Sequence, residues 1–323
     1  MESFRSLLAG VLGSLLLFFT DGLPLRGQTV LPDFRVSLKG RVGVSTRNEE
    51  YNLKCDFLRL TLSGSFAENF HFMIRHRLNK AVTDGAFMSA TDYLNVSWRR
   101  GGWELLGGKT YLACGGFEYL ASSYDIYIRP GFFAGLGGMY NYALQCSRFF
   151  GNESLCIQAG NSIYNPGVSD LLGASMLLRG RQGPWEHAWS VNYFERAKGA
   201  GNVFVCLGNR FHIKEGTILD CSLAYRLDAE APAFMKDFSA VVHLKSSVLP
   251  WLNIVGKATW DYKEAGIRDP MLPDGTDSWQ AGGGVELFPV RSSEILRLHC
   301  IYYNRDGNLN CVMAGLSLGL DLR

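Results

Sequence analysis

The chain has 323 residues and a formal charge of +2, so no charge imbalance points to nucleic acid, and no basic cluster interleaved with aromatics does so either. Hydrophobic residues make up 47% and charged residues 19%, but the apolar content is scattered. Beyond the N-terminus no run approaches the roughly 18 apolar residues of a membrane helix, which leaves one or two soluble domains or one large barrel.

Residues 1–27 read as a targeting segment. Arg5 supplies the basic start, Leu7–Thr20 (LLAGVLGSLLLFFT) the apolar core, and a polar stretch ends at Arg26-Gly27-Gln28. Gly27 is the small residue expected before a cleavage site. The core is short for a membrane span; the other reading is a buried helix. Residues 28–323 then form the exported part, in a compartment that permits disulfides.

From Phe34 onward one theme repeats. Segments of about ten residues alternate apolar and polar side chains, with turn formers between them. About sixteen such segments are predicted, an even number as expected of a single-chain barrel. Their spans are 34–45, 51–64, 69–78, 90–98, 103–112, 138–149, 153–163, 172–181, 186–197, 203–213, 217–227, 237–247, 252–263, 278–288, 294–304 and 309–322. In the last, Val312, Ala314, Leu316, Leu318, Leu320 and Leu322 alternate with Cys311, Met313, Gly315, Ser317, Gly319 and Asp321. Side chains of a strand point alternately to its two faces, so one face suits lipid and the other is small or polar.

A soluble sandwich shows the same alternation. Length separates the two: most segments have about 10 to 12 residues, enough for a tilted strand to cross a bilayer, and soluble strands have about half that. Connections differ as well. Ala67-Glu68, Arg100–Gly102, Gly151-Asn152, Lys214–Gly216 and Pro250-Trp251 are short, whereas Asn79–Ser89, Ala113–Gly137 and Glu264–Thr276 are long. Short turns at one end and long loops at the other are a barrel's layout. The chain ends within its last strand, as pairing with the first requires. Trp98, Trp189, Trp251, Trp260, Tyr302 and Tyr303 fall near strand ends and are expected in interfacial girdles. The expected fold is all-β: a transmembrane antiparallel barrel of about sixteen strands, wide enough for a water-filled lumen.

Alternation assigns Arg59, Arg75, Arg77, Arg179, Arg210, Arg226, Lys245, Lys257 and Arg297 to the inner face, with Asp220, Asp261 and Glu286 as the clearest inward acids. Excess fixed positive charge favours anions; the plainer alternative is a lumen of solvated bases without a specific site. The longest connection, the third external loop Ala113–Gly137, carries Gly115, Gly116, Phe117, Glu118, Tyr119, Asp125, Tyr127 and Arg129. Its aromatics suit an inward fold that narrows the pore better than exposure to water.

Three cysteine pairs span hairpins by spacing: Cys146 with Cys156, Cys206 with Cys221, and Cys300 with Cys311. Alternation places Cys146, with Tyr140, Tyr142 and Leu144, outside and Cys156 inside, and likewise splits the other two pairs, a geometry no disulfide bridges. Most of the eight cysteines are therefore read as small apolar residues. No CxxC or tight Cys/His spacing suggests a metal, and no cofactor is expected.

The stretch Trp103-Glu-Leu-Leu-Gly-Gly-Lys109, then Gly115-Gly-Phe-Glu-Tyr119 and Asp125-Ile-Tyr127, resembles the phosphate-selective porin O/P family, in particular its Bacteroides-type members. Asp56-Phe-Leu-Arg-Leu60 and Asn69-Phe-His-Phe72 are similar to that family's opening hairpin. The resemblance covers the N-terminal half through motifs and the rest through strand pattern. It implies a sixteen-stranded, trimeric outer-membrane barrel passing small anions such as phosphate, with Lys109 the member of the family's basic ladder that fits. The chain departs from the family in ending in Leu-Asp-Leu-Arg rather than a terminal aromatic. Outer-membrane lipid, small anionic solutes and two further copies of the chain are the expected partners. The competing functions are a barrel enzyme of phospholipase or protease type, for which His71, His76, His187, His212, His243 and His299 sit in no recognisable signature, and a non-conducting structural barrel.

Overall fold

The computed structural model describes residues 33–47, 50–80, 87–122, 124–132, 139–164, 170–232, 234–269, 271–290, 295–307 and 309–322. The predicted targeting segment, residues 1–27, lies outside them, as do residues 123 and 133–138 of the long connection. The strands are β1 (Asp33–Arg47), β2 (Glu50–Ala67), β3 (Phe70–Arg77), β4 (Thr91–Arg100), β5 (Trp103–Tyr111), β6 (Tyr140–Phe150), β7 (Glu153–Asn161) and β8 (Leu172–Gln182). They continue as β9 (Trp185–Ala197), β10 (Ala200–Lys214), β11 (Thr217–Asp228), β12 (Asp237–Leu249), β13 (Leu252–Lys263), β14 (Asp277–Leu287), β15 (Leu296–Arg305) and β16 (Leu309–Leu322). Two helical turns, α1 (Phe87–Ala90) and α2 (Phe117–Leu120), lie in the connections after β3 and β5.

Each strand pairs antiparallel with its neighbours in sequence, and β1 pairs β16 from Val36 opposite Leu322 to Arg47 opposite Cys311, closing the barrel. Closure removes the free edge that would otherwise leave a row of unpaired N–H and C=O groups. At one end six connections, from β2–β3 through β12–β13, have two residues each. The opposite end carries the long connection between β5 and β6. Among the described residues no helix is long and apolar enough to cross a membrane.

The distribution of polarity is the reverse of a soluble protein's. Leu144 and Ile157 are 51% and 56% exposed on the outer wall, while Arg226 and Arg297 are 1% and 0% exposed within. An apolar band around the whole circumference far exceeds the patches a soluble surface carries. It has the properties of a lipid-facing girdle. Trp251, Trp260 and Tyr302 stand in it, exposed, as expected. Tyr303 does not: it packs beside Tyr127 against the interior cluster of Ile128, Val255, Ile301 and Met313. Being adjacent in a strand, Tyr302 and Tyr303 point to opposite faces, so only one can join the girdle.

Two irregularities decide where acids lie. Arg41 pairs with Phe57 but Val42 with Cys55, which leaves Asp56 as an extra residue on β2. Arg75 pairs with Tyr93 but His76 with Thr91, which leaves Asp92 extra on β4. A bulge places two successive residues against one partner and interrupts strict alternation. Asp56 thereby reaches Arg41 at 2.7 Å, and Asp92 becomes 1% exposed among arginines.

Candidate functional site

The connection after β5 runs inside the ring and meets wall after wall. Ala113 N–H donates to the Gln158 side chain at 3.0 Å, Gly115 N–H to Ser190 Oγ at 2.7 Å, Gly116 N–H to the Ala188 carbonyl at 3.0 Å and Phe117 N–H to Ser222 Oγ at 3.2 Å. The wall is built for this approach. Ala188, Ser190, Gly208 and Ser222 are small, and a Cβ on Gly208 would sit 2.6 Å from Gly116 Cα. A Cβ on Gly115 would lie 2.6 Å from the Ala188 carbonyl, and Gly116 has φ 90°, a conformation that glycine adopts freely. The Gly115-Gly116 pair is thus a docking surface for backbone on backbone. Gly208→Leu is expected to dislodge the segment, read as new cleavage between residues 113 and 132 in limited proteolysis of the folded protein; an uncut segment counts against this packing.

Beyond α2 the segment crosses to other walls. Lys257 of β13 binds Glu118 at 2.6 Å and the Ile128 carbonyl. Arg297 of β15 donates to Asp125 Oδ1 at 2.9 Å and to Glu286 Oε1 at 2.8 Å, with its guanidinium 4.2 Å over the Tyr124 ring. Arg41 of β1 donates to the Ile126 carbonyl at 2.9 Å. Tyr127 donates to Glu286 Oε1 at 2.8 Å; burial and then the Glu286 charge hold its phenol above the usual range, so it stays a donor. Gln280 donates to the Arg129 carbonyl at 3.1 Å, and Asp261 accepts from Gly131 N–H at 2.6 Å. Phe132 ends fully buried against Arg226 and Phe204.

Most of the predicted basic residues therefore hold structure. Arg226 is clasped by Asp237 and by Asp269 at 2.9 Å, Arg210 is paired with Asp220 through two hydrogen bonds of 2.6 and 2.8 Å, and Lys245 meets Glu286 at 3.1 Å. Arg179 is exposed near the short-turn end of β8. Lys109 lies opposite Leu94, and its ammonium donates to the Met88 carbonyl of α1, so it holds the connection after β3. The simple expectation of few inward acids is corrected: Asp56, Asp92, Asp237 and Asp269 join the three that alternation found.

One group differs. Arg59, Arg75 and Arg77 all converge on Asp92, at 3.5, 3.2 and 2.7 Å. Their side chains are 11%, 20% and 27% exposed, against 2% for Asp92. Three cations thus stand in front of one covered anion. Tyr93 and Tyr140 brace Arg75, with ring centroids 4.4 and 5.1 Å from its guanidinium. Tyr140, which alternation groups with the outer Leu144, instead packs on Arg75, Tyr93 and Tyr111. It lies opposite Tyr111 just beyond Gly108, whose φ of 123° turns the end of β5.

On the other side of the crossing segment is a cavity of about 290 Å³. Glu118, Asp125 and Asp220 line it together with Arg210, His243, Lys245 and Lys257, and two of these acids are already paired there, Glu118 with Lys257 and Asp220 with Arg210. Among the described residues no group of three or more His, Cys, Asp and Glu could hold a metal.

No protein-family model matches the chain, and no curated protein matches it in sequence. Solved structures do share its fold. An anion-selective porin from Comamonas acidovorans aligns with a TM-score of 0.63 at 12% identity, covering 90% of this chain and 100% of that one. OmpF of Salmonella typhi, in complex with daunomycin, aligns at 0.64 and 11% identity, covering 90% and 97%. The outer membrane channel DcaP of Acinetobacter baumannii aligns at 0.63 and 13% identity, covering 92% and 100%. The architecture of this chain is the closed antiparallel barrel of porins.

Proposed function

We propose that the chain is an outer-membrane porin: a passive diffusion channel for small hydrophilic solutes that favours anions, phosphate among them. In this reading residues 1–27 direct export and are removed, and the mature barrel assembles as a homotrimer. The observation that carries it is the Arg59, Arg75 and Arg77 group, three partly covered guanidiniums, each more exposed than the one carboxylate beneath them, on the inner wall of a closed ring. Fixed positive charge in a low-dielectric wall concentrates anions and excludes cations. Guanidinium forks also match the geometry of phosphate oxygens. The fold shared with an anion-selective porin supports the same reading.

The test is conductance of the refolded chain in planar bilayers under a salt gradient. Discrete channels with an anion-favouring reversal potential are expected, and millimolar inorganic phosphate should reduce the chloride current. Folded protein that conducts nothing, or that favours cations, would sink the proposal.

A further inference from the structure

We propose that Cys114 and Cys206 join in a disulfide that fixes the start of the crossing segment to the inner wall at β10. Cys114 is the last residue before the Gly115-Gly116 dock, and Cys206 lies on the wall beside it. Their sulfurs are 3.4 Å apart, and each residue is 1% exposed. The backbone around Cys114 is already pinned. Ala113 N–H binds Gln158 and Gly115 N–H binds Ser190, so the chain on both sides of Cys114 is held against the wall that carries Cys206. A disulfide needs the sulfurs at about 2.05 Å, so the two must still close from 3.4 Å.

The pair stands apart from the other cysteines. Cys206 and Cys221 are a hairpin apart, but Cys206 is buried inside and Cys221 is partly exposed on the other face. The same split holds for Cys146 with Cys156 and Cys300 with Cys311. Cys114 and Cys206 are 92 residues apart, so no hairpin spacing reveals them. A metal would need three or four ligands, and among the described residues no such cluster exists.

The chemistry is thiol–disulfide exchange with a disulfide donor, a protein or small-molecule disulfide of the oxidising compartment. One thiolate attacks the donor and displaces one of its sulfurs, forming a mixed disulfide. The second thiolate then displaces the other donor sulfur. Cys114 and Cys206 gain one S–S bond and lose two protons and two electrons; the donor's S–S bond breaks and it takes up both, leaving as two thiols, joined in one molecule when the donor is a protein disulfide. Once the segment is docked, burial keeps reductants from the bond. The tether would hold the constriction's first residues on the wall, and reduction would leave that hold to hydrogen bonds and packing. The proposal goes beyond the channel reading and rests on it only for the export that supplies the donor.

The experiment counts thiols in the full chain. Protein from the outer envelope is unfolded in acid, alkylated with a maleimide, and weighed before and after reduction. A second preparation is refolded into detergent in the presence of oxidised glutathione, so that the donor meets both thiols before the segment docks, which makes the result independent of export. In either, six of the eight cysteines should react before reduction and all eight after it, with the peptides of Cys114 and Cys206 joined. Cys114→Ser and Cys206→Ser should each leave seven cysteines open to alkylation without reductant once glutathione adducts are excluded by mass. Eight reactive cysteines in both preparations, or a bond between any other pair, overturns the proposal. Bilayer conductance is measured separately, so a missing bond with a working channel, or the reverse, shows which of the two readings has failed.

Discussion

Replacing Glu286 with leucine should lower the stability of the folded barrel by about 3–5 kcal/mol, the usual cost of stripping one partner from a buried ion pair. Glu286 is 1% exposed and accepts from Arg297 at 2.8 Å, Tyr127 at 2.8 Å, Asn253 at 3.0 Å and Lys245 at 3.1 Å. Without it, Arg297 stays fully buried with Asp125 as its remaining carboxylate. Asp125 is itself 41% exposed, so water screens its attraction and the exchange is a poor one. Adding Arg297→Met removes the stranded charge and keeps the bulk. The double variant should recover much of the loss, although Lys245 still lacks its partner. Urea unfolding in detergent, followed by tryptophan fluorescence, gives both values. If the losses of the two single variants simply add, the groups are not acting as one network. A second readout is local: Arg297 also holds Tyr124 and Asp125, so Arg297→Met alone should expose the crossing segment to protease.

Replacing Arg75 and Arg77 with alanine should move the channel's preference strongly toward cations. A unit charge about 6 Å from the path of an ion contributes about 0.7 kcal/mol in a water-like medium, favourable to an anion and unfavourable to a cation. The two contributions oppose, so each arginine lost changes the anion-to-cation ratio by about tenfold at low ionic strength. At 1 M salt the Debye length falls to about 3 Å and most of the effect should vanish. Asp92→Asn has the opposite sign: it removes the one carboxylate under the three guanidiniums and should raise anion preference. Lys109→Ala should change the ratio less, because Lys109 is only 9% exposed, with its ammonium turned onto the Met88 carbonyl. Reversal potentials across a salt gradient, taken at low and high salt, decide all three cases. An unchanged ratio in the Arg75 and Arg77 variant means that ions do not pass this wall.

The periodicity of the sequence was enough for the sixteen strands, and nearly enough for their ends. Regular alternation over about ten residues has one solution in lipid, because each strand must satisfy its hydrogen bonds with two neighbours and show an apolar face outward. The β12–β13 hairpin, read as 237–247 and 252–263, folds as Asp237–Leu249 and Leu252–Lys263 for that reason. The inward face of Arg297, Lys257 and Glu286 followed from the same parity.

Parity fails where the strand does. Asp56 and Asp92 are even-numbered neighbours of outward residues, and strict alternation sends them outside; a bulge at each turns them inward, onto Arg41 and onto Arg59, Arg75 and Arg77. The bulge on β2 shows only as a change of phase: the exposed apolar residues are odd-numbered at Tyr51 and Leu53 and even-numbered at Leu60, so parity read from one half of the strand misplaces the residue between them. The role of Arg41 is likewise visible only through its partner on the bulge.

The sequence by itself determined which residues form strands, which face of each is apolar and which connection is long. It could not determine what that connection touches. Cys114 and Cys206, Glu118 and Lys257, and Asp125 and Arg297 are brought together only when the ring closes and its interior receives the segment. Strand pattern is a local property, set by each residue's environment on a sheet. The balance of charge in the lumen is a property of the closed ring, because which carboxylate neutralises which guanidinium depends on distances across it.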